Sequence, residues 1–231
     1  MKKLLTNYKK NKLSKVNWWF IGLILVTISF NYQIIFQGKI IFYGDIIVQY
    51  IPLAKVLADH IRNFTLPFWN SFVGMGFPLI SEPQVGSFYP INWIVYLLLS
   101  FRIGYNFIYI LHLLLGGMFM WLYLRELGLG NPAKFIGSIS FIFSSFFVTH
   151  TCHQSIILTG IWMPLALLFL EKGINQPKFF GLFGLACFMQ GAAGHPHVFI
   201  MSMCLYGLYT IRIIIINKKR ILLIAIISYR S

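Results

Sequence analysis

The strongest candidate for chemistry is an acidic residue in the first long polar stretch of the chain. Three of the five acids, Asp45, Asp59 and Glu82, lie between residues 38 and 87. Asp45 stands within Tyr43–Pro52, shortly after the first long apolar run. Its carboxylate could cap a helix that restarts there, with Gln49 one turn further on the same face. It could also accept a proton from an incoming hydroxyl or hold a cation. The residues alone leave both readings open.

Histidines form two close pairs, His150 with His153 and His195 with His197, each in a short connection between apolar runs. Such imidazoles either face water at a membrane surface or line a pocket. In a pocket they could contact a phosphate or a sugar, or jointly bind a divalent ion. His112 lies inside an apolar run, where a polar ring needs a partner. We therefore predict that His112 makes a hydrogen bond to another helix.

Few cations are available near these groups. Arg62, Arg102 and Lys55 could stabilise an anionic leaving group. They could equally anchor the polypeptide to lipid headgroups. Aromatic side chains in the same region could stack on a sugar ring, although aromatic belts at membrane interfaces are the simpler reading: Trp69, Phe72 and Trp93.

The elements that position these groups must be membrane helices. Of 231 residues, 58% are hydrophobic and only 10% are charged, and the mean hydropathy is +0.75. A soluble domain is about a quarter charged, so this chain cannot cover itself with polar surface. We predict an all-α, polytopic helical membrane bundle. A soluble enzyme, a disordered tail and a collagen-like fibre are excluded.

Apolar runs predict about six or seven crossings of about 20 residues each. The first, residues 18–37, follows a basic N-terminus and is too long for the apolar region of a signal peptide, so we predict an uncleaved signal anchor. The remaining runs lie at 104–124, 133–149, 156–171, 178–193 and 197–216, and a last one opens at 221.

The distribution of Lys and Arg sets the orientation. With residues 1–17 in the cytoplasm, 14 cations fall on the cytoplasmic side and 4 outside, with Arg230 undecided. That excess satisfies the positive-inside rule. We predict a multi-pass protein of the bacterial plasma membrane with its N-terminus in the cytoplasm. The net charge of +14 then reflects topology and contact with anionic lipids, and we predict no nucleic-acid partner.

Residues 38–103 form the predicted extracytoplasmic loop, and residues 104–231 form the helical bundle. Proline and glycine impose bends along the loop, and a long ordered loop is more often functional than idle. The segment 89–101 is too short to cross the membrane. We predict an interfacial or re-entrant helix there, held at headgroup depth by aromatic side chains: Tyr89, Trp93 and Tyr96.

Three cysteines contribute little. Their number is odd and their spacing is not that of metal ligands, so we predict neither a disulfide nor a metal cluster built on them: Cys152, Cys187 and Cys204.

Short motifs follow one another through the loop: Asp45-x-x-x-Gln49-Tyr50-x-Pro52, Leu66-Pro67-x-Trp69-Asn70, Gly74-x-Gly76-x-Pro78, Pro83-Gln84 and Phe88-Tyr89-Pro90. In this order they resemble the N-terminal part of the bacterial YfhO family. The resemblance covers essentially the whole chain and is densest from Asp45 to Pro90. It implies a multi-pass glycosyltransferase of GT-C type, which takes a sugar from a polyprenyl-phosphate carrier on the outer face of the membrane.

The resemblance also implies roles for individual residues. GT-C enzymes are similar in placing an essential acid in the first outside loop, which here is Asp45. Many carry an adjacent acidic pair, whereas Gly44 and Ile46 flank Asp45 and favour a lone base over a metal bridge. The string Gly194-His195-Pro196 resembles one in the family as well. The substrate-binding residues that we predict are Gln49, Arg62, Trp69, Asn70, Glu82, Gln84, Tyr89, Arg102, His153 and His195.

The predicted function is sugar transfer from a polyprenyl-phosphate donor to a cell-envelope polymer such as lipoteichoic acid, in contact with membrane lipids. We predict no cofactor, and metal dependence stays open. The alternative is a noncatalytic polytopic protein or a transporter, suggested by the small residues at 116–117 and 191–194. Because family members are longer, we expect a truncated or frameshifted fragment that is inactive alone.

Overall fold

The computed structural model describes residues 17–40 and 44–229, of which residues 216–229 are described only as helical backbone. Within these ranges the secondary structure is helical, and the sole pairing of extended backbone is an isolated antiparallel bridge between Asn70 and Phe77. The all-α prediction is confirmed. The basic residues 2–15, assigned to the cytoplasm from the sequence, lie outside the described residues.

In chain order the α-helices are α1 (Trp18–Phe30), α2 (Tyr32–Phe36), α3 (Ile51–Arg62), α4 (Pro90–Leu98), α5 (Phe101–Glu126), α6 (Asn131–Ile142), α7 (Ser145–Thr149), α8 (Gln154–Gly160), α9 (Met163–Gly173), α10 (Phe179–Ala192) and α11 (Pro196–Tyr229). A π-helix, Ile46–Tyr50, leads into α3, and two 3₁₀ turns, Leu79–Ser81 and Pro83–Val85, precede α4.

Four segments are long and apolar enough to cross a membrane: Phe101–Glu126, Asn131–Thr149, Gln154–Gly173 and Pro196–Ile215. The second is α6 continued by α7, and the third is α8 continued by α9. Helices α1 and α10 are apolar but have only 13 and 14 residues. Four such segments in the described part of the chain support a multi-pass membrane protein.

Two boundaries differ from those that the sequence indicated. Helix α11 runs unbroken from Pro196 to Tyr229, so the prediction of a separate run from 221 is wrong. The first apolar run is interrupted at Asn31, whose side-chain amide donates to the Thr27 carbonyl at 2.9 Å. A polar side chain that competes with the backbone in this way ends a helix, and hydropathy alone does not register it.

Small residues allow the central helix α5 to pack closely against its neighbours. A Cβ atom at Gly116 would lie 2.9 Å from Cγ2 of Ile161, and one at Gly117 would lie 3.3 Å from Leu23. Both glycines are buried. This is the close packing that small residues permit between membrane helices.

A buried chain of hydrogen bonds fastens the loop to the bundle. The Trp162 indole donates to the Tyr89 hydroxyl at 3.0 Å, which lies 2.6 Å from Nε2 of His112. Nδ1 of His112 lies 2.5 Å from the carbonyl of Ile108, so Nδ1 must carry the proton and Nε2 must accept from Tyr89. His112 therefore has a hydrogen-bond partner as predicted, but this partner is the residue that precedes α4 and not a residue within another helix. Three segments of the chain meet at one hydroxyl.

The same arrangement corrects the predicted role of two aromatic residues. Tyr89 is 0% exposed and Tyr96 is 2% exposed, because both side chains face the core. They therefore do not anchor α4 at headgroup depth, and Tyr89 does not contact substrate in this arrangement. Trp93 is partly buried and donates from its indole to the Ser87 carbonyl at 2.7 Å.

Gly194 permits a second close approach between the loop and the bundle. Its φ is +99°, and a Cβ atom there would lie 1.9 Å from the Pro83 carbonyl oxygen. The connection between α10 and α11 therefore lies directly against the second 3₁₀ turn. Only glycine fits at this point, since both the backbone conformation and the available space exclude a side chain.

We predict that Gly194→Ala destabilises the protein far more than Gly128→Ala. Gly128 has a φ of +79° but no atom within 4 Å of a Cβ, so it carries the conformational cost alone, about 1–3 kcal/mol. Gly194→Ala adds a steric overlap with backbone. Thermal unfolding of the two purified variants in detergent measures the difference. Equal midpoints would show that the contact with Pro83 does not form.

We also predict that Tyr89→Phe lowers stability, because it leaves the Trp162 indole and Nε2 of His112 buried without a partner. An unsatisfied buried polar group costs about 1–3 kcal/mol. Tyr32→Phe is the matched control, since Tyr32 is 46% exposed and its hydroxyl takes part only in an exposed hydrogen bond. The measurement is again the unfolding midpoint. A Tyr89→Phe variant as stable as Tyr32→Phe would contradict the proposed attachment of the loop.

Candidate functional site

The candidate site is built on a hydrogen bond between two residues that are 108 positions apart. Nε2 of His153 lies 3.1 Å from Oδ2 of Asp45. The Asp45 side chain is 56% exposed and that of His153 is 31% exposed. Asp45 occupies the position before the π-helix, but its side chain makes no capping hydrogen bond. The carboxylate is therefore paired with an imidazole and open to solvent, and the capping interpretation is not supported.

Local sequence explains why Asp45 projects from the fold. Gly44 has a φ of +57°, which lets the chain turn just before the helix. Ile46 is 1% exposed and fixes the π-helix in the core. Pro52 has no N–H to donate back into the preceding turn, which favours a wider turn at this point. Such π-type segments frequently occur at functional sites. Asp45 therefore stands at the exposed end of an anchored, irregular turn.

His153 connects Asp45 to a thiol. Its Nδ1 lies 3.0 Å from Sγ of Cys152. If Nε2–H donates to the Asp45 carboxylate, Nδ1 must accept, and the Cys152 thiol can supply that hydrogen. The ring of Tyr50 packs edge-on against the His153 ring with centroids 5.6 Å apart. The imidazole is thus held on two sides and directed at the carboxylate, whose second oxygen makes no hydrogen bond to another described residue and can meet an incoming hydroxyl.

Two of the predicted substrate-binding residues, Gln84 and Glu82, lie beside this pair. The Tyr50 hydroxyl donates to Oε1 of Gln84 at 2.5 Å. The Gln84 backbone N–H donates to the Glu82 carboxylate at 3.2 Å, so Glu82 caps the second 3₁₀ turn. Burial is the main cause that raises the pKa of Tyr50, and the charge of Asp45 adds to it. Tyr50 therefore stays a neutral hydrogen-bond donor, and Glu82 has a structural role in addition to any contact with substrate.

Tyr50 also borders a small polar cavity that offers about 30 Å³ to the centres of water molecules, enough for one or two. Two of its buried polar atoms, Oδ1 of Asn92 and the Tyr105 hydroxyl, have no hydrogen-bond partner within the described protein. Water in the cavity would satisfy them. Among its lining residues are Gln49, Tyr50, Gln84, Asn92, Tyr105 and Ser155. The cavity is uncharged and too small for a sugar ring.

The second histidine pair lies near the first. Burial, with the charges of His197, His153 and His150, lowers the pKa of His195 to about 4. The backbone N–H of His195 donates to the Thr159 hydroxyl at 3.0 Å. Ring centroids are 5.8 Å apart in the pair His195 and His197, and 5.9 Å apart in the pair His150 and His153. Both histidine pairs therefore lie close to Asp45, at one end of the described helices.

The predicted cations are engaged elsewhere. Arg62 donates to the backbone carbonyls of Tyr96 and Leu99, where it caps the end of α4. Arg102 donates to the Gly38 carbonyl at 2.6 Å. Lys55 pairs with Asp59, one turn away on α3, at 2.5 Å. These contacts hold the loop together, and none of them brings a cation to Asp45.

Trp69 and Asn70 belong to a hairpin rather than to the site. Asn70 is 1% exposed, and its backbone N–H donates to the Phe77 carbonyl at 2.8 Å. Trp69 is 53% exposed and lies against Gly76. His60 links this hairpin to α3, since its Nε2 lies 3.3 Å from the Trp69 carbonyl. The described contacts do not connect either residue to Asp45.

The structure thus brings Asp45, Gln49, Gln84, His153 and His195 into one region. Sequence reasoning assigned no role to Tyr50 or Cys152, although Tyr50 stands inside the quoted motif and Cys152 directly precedes His153. Their contribution is visible only once distant segments meet. Among the described residues, no group of three or more His, Cys, Asp or Glu side chains is arranged to hold a metal ion.

Comparisons with protein-family models, with curated proteins and with solved structures gave no match to this chain. The resemblance of the loop to the YfhO family therefore rests on its motifs alone.

The lowered pKa of His195 predicts a pH-dependent stability. Below about 6.5 the unfolded imidazole binds a proton that the folded one refuses until about pH 4. The contribution of neutral His195 to the free energy of unfolding is therefore fully present above pH 6.5 and is lost as the pH falls toward 4. The unfolding midpoint of the wild type should fall more steeply between pH 7 and pH 5 than that of His195→Asn. His60→Asn, outside the histidine cluster, should keep the wild-type slope, and parallel curves for all three proteins would contradict the assignment.

Proposed function

We propose that the protein is a membrane glycosyltransferase of GT-C type, in which Asp45 is the general base. The observation that carries the proposal is a half-exposed carboxylate, held through one oxygen by an oriented imidazole at one end of a helical membrane bundle. The motifs from Asp45 to Pro90 supply the class of reaction. The donor is a polyprenyl-phosphate sugar, and the acceptor is a cell-envelope polymer such as lipoteichoic acid.

In the proposed step, Asp45 takes the proton of an acceptor hydroxyl through its free oxygen. The acceptor oxygen then forms a bond to the anomeric carbon of the sugar, and the bond from that carbon to the carrier phosphate breaks. The polyprenyl phosphate leaves with the electron pair. His153 does not react with substrate but positions the carboxylate, and Cys152 keeps the imidazole in the required tautomer.

The departing phosphate needs positive charge or hydrogen-bond donors. Arg62 and Arg102 are bound to backbone carbonyls, so we assign this role to the imidazoles instead. His150 and His197 are the candidates, because His195 resists protonation. Gln49 and Gln84 are placed to donate hydrogen bonds to sugar hydroxyls at the mouth of the small cavity.

The proposed topology places Asp45 on the extracytoplasmic side and the N-terminus in the cytoplasm. The four long apolar segments together with α1 and α10 would then make six crossings. Helix α4 and the preceding turns belong to the outside loop. With this arrangement a lipid-borne sugar approaches Asp45 from the membrane, and the acceptor approaches from the cell wall.

We predict that Asp45→Asn abolishes transfer, with a loss of about 10²–10⁴-fold, which is the usual contribution of a general base. Asp59→Asn is the matched control, because Asp59 is a half-exposed carboxylate of the same loop that pairs only with Lys55. The measurement is incorporation of labelled sugar by membranes that carry equal amounts of each variant. Undiminished transfer by Asp45→Asn would remove the central claim.

Binding of the donor is a separate readout that does not need turnover. The purified chain should cross-link to a photoreactive polyprenyl-phosphate sugar, and unlabelled polyprenyl phosphate should compete. Asp45→Asn should retain this cross-linking, since Asp45 acts on the acceptor. Uptake of solute by vesicles without cross-linking or any covalent product would favour a transporter instead.

A further inference from the structure

A long uncharged stretch of the loop forms a hairpin with an exposed apolar tip. No Asp, Glu, Lys or Arg occurs between Arg62 and Glu82. Within this stretch the backbones of Asn70 and Phe77 exchange hydrogen bonds of 2.8 and 3.0 Å. The hairpin tip, residues 71–76, therefore projects from a paired base. Large hydrophobic side chains in it are exposed.

Hydrogen bonds and turns within its own sequence shape the hairpin tip. Asn70 is buried, and its side-chain oxygen accepts from the Phe72 N–H at 2.9 Å. Gly74 and Gly76 take positive φ angles, which reverse the chain. Phe72 is 82% exposed and Met75 is 100% exposed. A defined turn that presents its apolar side chains outward suits insertion into an apolar environment.

Other residues of the same uncharged stretch line an apolar groove against α4. The groove has a volume of about 420 Å³, and among the described residues that line it Ser87 alone has a polar side-chain hydroxyl. Its other lining residues are Leu66, Pro67, Ile80, Phe88, Pro90, Trp93 and Ile94. Trp93 presents an indole whose N–H is already bound to a carbonyl, so its ring offers an apolar wall.

This apolar surface continues into a candidate membrane span. Ile94 and Leu98 of α4 are 58% and 76% exposed, and Ile103 near the start of α5 is 59% exposed. Only two residues separate α4 from α5, which is one of the four long apolar helices. Exposed apolar side chains therefore extend from the groove, which Ile94 lines, along α4 to the first residues of α5. Lys55 and Asp59, in contrast, form an exposed ion pair on α3 that belongs in water.

We propose that the hairpin tip and the groove bind the acyl chains of the lipid leaflet that adjoins this end of the bundle. The uncharged sequence, the outward apolar side chains and the continuity with α5 all favour lipid over a water-soluble partner. Arg62 at the edge of the hairpin then lies at the level of the headgroups. The hairpin is a membrane anchor and not a lid over the sugar. This inference does not depend on the proposed enzyme activity.

The test uses the full chain with its native cysteines replaced by serine, reconstituted in liposomes. A fluorophore is attached at Met75→Cys, or at Lys55→Cys as the water-facing control. Quenching is measured with phosphatidylcholine brominated on its acyl chains and, separately, with iodide on both sides of the membrane. We expect brominated lipid to quench the label at position 75 and iodide to quench the label at position 55.

A label at position 75 that iodide quenches and brominated lipid does not would overturn the proposal, because the tip would then lie in water. Protection from both quenchers would also overturn it, since the tip would be covered by protein. A second variant separates local insertion from a folding defect. Phe72→Asp should abolish lipid quenching of a label at Val73→Cys. The elution volume of the purified variant in detergent should stay that of the parent protein, which shows that the fold is intact. Retained lipid quenching in this variant would contradict the anchoring role of the tip.

Discussion

A core that lies largely in lipid cannot leave polar groups without partners. The Tyr89 hydroxyl meets this constraint for three segments at once, because it joins the Trp162 indole and the His112 imidazole. The Ile108 carbonyl accepts from Nδ1 of His112, and this fixes the donor and the acceptor in each hydrogen bond of the network. Tyr89 stands at the start of α4, so the bond network determines where the loop lies on the bundle. The remaining contacts of the loop follow from that placement.

The position of Asp45 depends on this docking. Once Tyr89 is fixed, the second 3₁₀ turn lies against Gly194, and Gln84 lies under the Tyr50 hydroxyl. Tyr50 in turn packs against the ring of His153, and His153 binds Asp45. The carboxylate is thus held by a series of contacts that begins in the core. Its exposure comes from the local backbone, since the π-helix buries Ile46 and Tyr50 after Asp45, and Gly44 before it turns the chain with a positive φ.

Hydropathy, charge and local spacing made the main outline predictable. Long apolar runs gave the helical bundle, and the isolated His112 in such a run required a partner. The alternation of apolar runs placed both histidine pairs at the same end as Asp45. The roles of Arg62 and Arg102 were not predictable, because a guanidinium binds a backbone carbonyl as readily as a phosphate and only the tertiary structure selects between them. Tyr89 was predicted to lie at the membrane interface because it is aromatic and polar. Composition does not show that its hydroxyl finds partners in the core instead.

A double-mutant cycle on Asp45 and His153 tests most directly whether the carboxylate and the imidazole act as one unit in sugar transfer. The initial rate of transfer from a polyprenyl-phosphate donor is measured for the wild type, Asp45→Asn, His153→Ala and the double variant. We predict that His153→Ala is impaired, and that the double variant is no slower than Asp45→Asn, because the imidazole acts only through the carboxylate. Losses that multiply, or an Asp45→Asn protein as fast as the wild type, would contradict the proposed base.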